Sequence, residues 1–161
     1  AIRAYRQLSA EGKTPEEQKK NRQQALEMFQ QALNEPYDGT LRAAIYYAMG
    51  SIYNQENNWE KAAEMFGLAV NEGPSPEIYM ALGDAQRKLK KTQAALESYK
   101  EASAMANDTS SQQHYFTHLM LRSVFNEMKE TKLAAAEQAW IDEFMKQQGG
   151  LGFPGGTFTV R

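Results

Sequence analysis

The sequence predicts an all-α fold, a solenoid of stacked helix pairs with an extended glycine-rich tail. Three observations lead there. First, one set of residues occurs twice. Gly50 is followed 12, 16 and 19 residues later by Ala62, Phe66 and Ala69, and Gly83 at the same distances by Ala95, Tyr99 and Ala102. Tyr46 and Tyr79 stand four residues before the glycines, and Met49 and Leu82 one before. Second, the chain reads as helix after helix separated by short polar breaks, with no strand-period alternation before residue 150. Third, 42% of the 161 residues are hydrophobic and 24% charged, enough apolar material for one continuous core.

The elements follow in order. Ala1 to about Ala10 carries Ile2, Tyr5 and Leu8 on one face, the trailing part of a helix, and Glu11-Gly12-Lys13 breaks it. Thr14 caps the next helix, with Pro15 at its first position and Glu16 and Glu17 facing the positive end of the dipole. Ala25, Leu26, Phe29, Ala32 and Leu33 point inward from it at a 3-4 spacing, to about Asn34. After Glu35-Pro36-Tyr37-Asp38-Gly39, Thr40 is the expected cap of a helix to about Gln55. Asn57-Asn58 turns the chain into a helix from Trp59 to about Asn71. Gly73-Pro74-Ser75-Pro76 is the strongest stop. Glu77 to about Leu89 and Gln93 to about Ala106 form the next pair around Lys90-Lys91-Thr92. Ser111 to Lys129 and Thr131 to about Gln147 form the last. Five of the thirteen residues 149–161 are glycine, so no helix continues there.

A glycine inside a helix costs roughly 1 kcal/mol relative to alanine. Gly50 and Gly83 make sense there if another helix crosses at that point. Ala62 and Ala95 are the small partners on the second helix, Phe66 and Tyr99 fill space, and Ala69 and Ala102 let the next pair approach. This pattern resembles the tetratricopeptide repeat, whose period is 34 residues. Tyr46, Met49, Gly50, Tyr53, Ala62, Phe66, Ala69 and Pro74 occupy its signature positions in residues 43–76. Tyr79, Leu82, Gly83, Ala95, Tyr99 and Ala102 do so in 77–108, with Gln86 where the family prefers Tyr and Asn107 where it prefers Pro. Ala25, Phe29, Ala32 and Pro36 match the second half of a partial repeat in residues 1–42. The pair in 109–148 is degenerate: Ala136 and Trp140 fit, but Val124 replaces the glycine and Glu143 the last alanine. Together these make a repeat domain over 1–148 and a tail over 149–161.

The resemblance implies a right-handed superhelix and a protein-interaction scaffold or adaptor that is not an enzyme and carries no cofactor. Its concave groove, lined by the first helix of each pair, would bind a peptide segment of a partner. Carried over, the groove positions are Tyr47, Ser51, Asn54 and Gln55, then Met80, Asp84, Arg87 and Lys88. The degenerate helix adds His118, Leu121, Phe125 and Met128. The mixture of apolar and polar residues suits a peptide with one or two apolar anchors. One subclass of the family holds a chaperone's C-terminal carboxylate through Lys and Asn. Tyr47, Ser51, Met80 and Asp84 stand at those positions here, and Asp84 would repel a carboxylate.

Other chemistries find little support. A formal net charge of −2 leaves no basic footprint for nucleic acid. The short cluster Arg87, Lys88, Lys90, Lys91 reads either as a solvated helix end or as a contact for an acidic partner. With no cysteine, disulfides and thiolate metal sites are excluded, and cytoplasmic and periplasmic locations are equally compatible. No apolar run is long enough to insert into a membrane. Asn107-Asp108-Thr109 matches a glycosylation acceptor, a triplet common by chance. His114 and His118 share a helix face at the i, i+4 spacing that can bind zinc, but Tyr115 stands where a metalloprotease needs Glu and there is no third histidine. The glycines of 149–156 follow a helix and precede none, so they make no phosphate loop. Two readings of the tail stand. One is a linker. The other is a segment, anchored by Phe153, Phe158 and Val160, that docks on its own or a neighbouring chain and makes a homo-oligomer.

Overall fold

A computed structural model describes residues 14–107 and 112–149, and among them the chain forms seven α-helices and no strand. These are α1 (Pro15–Ala32), α2 (Gly39–Gln55), α3 (Trp59–Glu72), α4 (Pro76–Lys88), α5 (Thr92–Met105), α6 (Gln112–Glu127) and α7 (Thr131–Gly149). The helical reading of Ala1–Ala10, the acceptor triplet beyond Asn107 and the tail from residue 150 lie outside the described residues.

Local chemistry sets the helix starts. Thr14 and Glu17 form a reciprocal capping box at α1: Thr14 Oγ1 accepts from the Glu17 N–H at 3.2 Å, and a Glu17 carboxylate oxygen accepts from the Thr14 N–H at 3.0 Å. Asn58 caps α3 and Ser75 caps α4. At α2 the cap differs from expectation. Asp38, in extended backbone, accepts from the Leu41 N–H at 2.9 Å, so the helix begins at Gly39 and Thr40 lies inside it. A carboxylate at this position meets both the orphan N–H groups and the positive dipole end.

Three hairpins close with one backbone device. Asn57, Lys90 and Lys129 all have positive φ, at 56°, 60° and 61°. In each case the next residue donates to a carbonyl five residues back: Asn58 to Tyr53, Lys91 to Gln86, and Glu130 to Phe125. These are Schellman turns, which satisfy the last carbonyls of a helix and reverse the chain. The α6–α7 pair, whose side-chain pattern is degenerate, therefore keeps the turn geometry of the two clear repeats.

The described helices group into two compact units, divided between Ala102 and Ser103. In the first, Ala25, Leu26 and Phe29 of α1 pack with Ile45, Met49 and Ile52 of α2. Ala62 and Phe66 of α3 pack with Ala85 of α4, and Ala43, Ala69 and Ile78 join α2, α3 and α4. The repeat logic is visible at the crossings. A Cβ on Gly50 would sit 2.6 Å from Phe66 Cε1, and one on Gly83 would sit 2.7 Å from Tyr99 Cε1. Each glycine is the space its partner's ring occupies. The second unit contains α6, α7 and the last turn of α5, with Leu121, Phe125, Ala134, Ile141 and Phe144 buried.

Candidate functional site

The face of α2 that repeats every three to four residues presents Thr40, Ala43, Ala44, Tyr47, Ala48 and Ser51. Opposite it run Gly73, Pro74 and Ser75, followed by Glu77 and Ile78 of α4. Together they line an open groove of about 640 Å³ in the first unit. That volume lies within the range that holds small ligands or one or two large side chains. The floor is apolar, through alanines, Pro74 and Ile78. Tyr47 stands above it, 37% exposed, its ring 5.5 Å from that of Phe66. Ser51 Oγ donates to the Tyr47 carbonyl at 2.9 Å. The groove wall is braced by Arg42, whose guanidinium donates to Glu72 at 2.9 Å and to the Leu33 carbonyl at 3.2 Å. That side chain joins the end of α1, the start of α2 and the end of α3.

The sequence-derived groove residues fall into three groups. Tyr47 and Ser51 line the groove, and Asn54 and Gln55 continue its face along α2, exposed. On α4, Asp84 accepts from the Tyr99 hydroxyl at 2.6 Å and lies 4.0 Å from Arg87, and Lys88 rests over the Trp59 ring at 5.6 Å. Met80 is buried, at 8% exposure, so its placement among the groove residues is corrected.

The third group is corrected. Leu121 and Phe125 are 0% exposed and belong to the core of the second unit, where no ligand can reach them. His118, 1% exposed, is no surface residue either. The exposed apolar side chains of α6 are instead Phe116 at 58% and Met120 at 56%. With valine in place of the repeat glycine at 124, the motif no longer fixed which face of this helix turns inward. The groove residues that sequence reasoning missed include Thr40, Ala44, Ala48, Pro74, Glu77 and Ile78. For those on α2 the signal was a run of small residues at four-residue spacing; Glu77 and Ile78 carried none.

His118 is held inside a polar chain. Its Nε2 donates to the Ala106 carbonyl at 2.7 Å, its Nδ1 meets a Glu137 carboxylate oxygen, and the other Glu137 oxygen accepts from Ser103 Oγ at 2.6 Å. The Trp140 ring stacks on the imidazole at 3.7 Å. Both imidazole nitrogens are engaged, so the pairing of His114 with His118 as metal ligands does not form. Among the described residues no three His, Cys, Asp or Glu side chains converge as a metal site. No helix among them is long and apolar enough to cross a membrane.

Consecutive antiparallel helices, repeated turns and an open groove define a helical-repeat protein that presents a surface. Residues 76–109, which contain α4 and α5, match the family model for the tetratricopeptide repeat. That stretch is a tetratricopeptide repeat, which is in general a protein-interaction module. A search of curated proteins found no match to the chain.

Proposed function

We propose that this protein is a non-catalytic interaction adaptor that binds a peptide segment of a partner in the groove between α2 and α4. The observation that carries this reading is the groove itself: an apolar floor left open to solvent beneath an exposed tyrosine. Burying one large apolar side chain there contributes about 1.5–3 kcal/mol. Ser51, Asn54 and Gln55 offer hydrogen bonds to a peptide backbone along the same face. Asp84 and Arg87 already engage each other, and thus shape the polar end of the groove while neutralising part of its charge.

Affinity capture from the source lysate tests this, with the wild type beside Ala44→Arg, which fills the groove from an already half-exposed position, and Tyr47→Ala. A partner held by the wild type and lost by both variants is the expected result. A partner held equally by all three would place binding elsewhere on the molecule and refute the proposal.

A further inference from the structure

We infer that the groove selects a segment with one large apolar side chain and, four to six residues away, a pair of acidic residues. This rests on the groove-binding reading above and adds the chemistry of the occupant. The first unit carries two unlike surfaces on one face. The apolar groove lies at the starts of α2 and α4. From there Glu77, Ala81, Asp84 and Lys88 follow along α4 at helical spacing, so the stripe ends in cations. The rise of about 1.5 Å per residue places Lys88 roughly 15 Å from Ile78.

At that far end the two hairpin turns come together. Lys88 Nζ lies 5.6 Å over the Trp59 ring, and Lys61 Nζ lies 5.2 Å over the Tyr53 ring. Lys90 and Lys91 follow in the turn, both exposed. The acidic groups nearby are mostly committed: Asp84 to the Tyr99 hydroxyl and Arg87, and Glu56 to Arg22 at 3.1 Å. Glu60 and Glu64 are the other acids beside Lys61, and they offset only part of the charge of Lys61, Lys88, Lys90 and Lys91. A positive excess remains on a chain whose overall charge is −2. Compensation of the α4 dipole accounts for Arg87 and Lys88. It does not account for Lys90 and Lys91, which lie beyond the helix, or for Lys61 on α3. Charge complementarity therefore calls for an acidic occupant at this end. An extended peptide advances about 3.3 Å per residue, so the 15 Å between surfaces corresponds to roughly four to six residues.

The test is a display selection of random twelve-residue peptides on the wild-type chain, keeping those that Ala44→Arg no longer binds. Kept peptides should be enriched in Asp and Glu at four to six positions from a Leu, Ile, Phe or Trp. The same selection on Lys88→Glu with Lys91→Glu should reverse the preference to Lys and Arg and retain the apolar anchor. Both positions are exposed, and Lys88→Gln with Lys91→Gln, which should abolish the bias without reversing it, guards against loss of structure. A fluorescein-labelled kept peptide should bind the charge-reversed variant more weakly by on the order of tenfold. Kept peptides without acidic bias, or a bias unchanged in the lysine variants, overturn this inference and leave the groove reading standing. The absence of any peptide sensitive to Ala44→Arg overturns both.

Discussion

Gly50→Ala should destabilise the first unit, although it replaces glycine by the best helix former inside a helix. The propensity gain is about 1 kcal/mol. Against it stands the space the new methyl needs. Its carbon would lie 2.6 Å from Phe66 Cε1, 2.7 Å from Cδ1 and 3.1 Å from Cζ. Ordinary carbon contacts are about 3.5–4.0 Å, so the ring must retreat by roughly 1 Å. Phe66 is 2% exposed and packed among Ala62, Ala85, Tyr53 and Leu82, so it has nowhere to go. Overpacking of this kind costs about 1–3 kcal/mol. The ring is rigid and enclosed, which puts the cost in the upper part of that range and the net loss at about 1–2 kcal/mol.

An internal control sharpens the test. A Cβ on Gly67, in the middle of α3, would meet nothing within 4 Å. Gly67→Ala should therefore stabilise by about 0.5–1 kcal/mol. Urea unfolding followed by circular dichroism measures both. Gly50→Ala combined with Phe66→Leu should cost less than the sum of the single changes, because the smaller side chain releases the overlap. If Gly50→Ala stabilises the protein as Gly67→Ala does, the packed crossing does not explain the glycine and the repeat register is wrong.

Three further outcomes follow from the geometry. Lys129→Gly should stabilise the second unit by up to about 1 kcal/mol in the same urea assay, since a positive φ suits glycine better than lysine. Glu137→Ala should destabilise that unit by about 3–5 kcal/mol, because it strands the buried His118 Nδ1 and the Ser103 hydroxyl; near-UV circular dichroism, sensitive to the Trp140 stack, reports the loss. Arg42→Met should lower the urea midpoint only slightly, as a partly exposed ion pair contributes little and the Leu33 carbonyl bond supplies most of the effect. A large drop in the midpoint there would mean that the brace across α1, α2 and α3 is more cooperative than its separate bonds.

Helix order, the glycine–aromatic crossings at Gly50 and Gly83 and the repeat of residues 76–109 were legible because each rests on short-range rules: caps, turn residues and 3.6-residue spacing. The resemblance to the repeat, in turn, placed Tyr47 and Ser51 on the face of α2 that lines the open groove. The short-range rules failed where tertiary packing decides. In α6 the apolar residues Phe116, Met120, Leu121 and Phe125 spread around much of the helix, and periodicity cannot say which of them a neighbouring helix covers. Packing buried Leu121 and Phe125 and left Phe116 and Met120 outside. His118 looked like a surface histidine one turn from His114, yet Glu137 lies nineteen residues on and only the folded α6–α7 pair brings its carboxylate to the ring. The groove floor is made of alanines of α2, Pro74 between α3 and α4, and Ile78 of α4, apolar residues with no reactive group of their own. Local sequence thus determined which helices form and how each hairpin turns, because those choices depend on neighbours a few residues away. Which side chains became core, latch or open groove was decided by contacts between helices, whose register depends on volume and shape that no single segment contains.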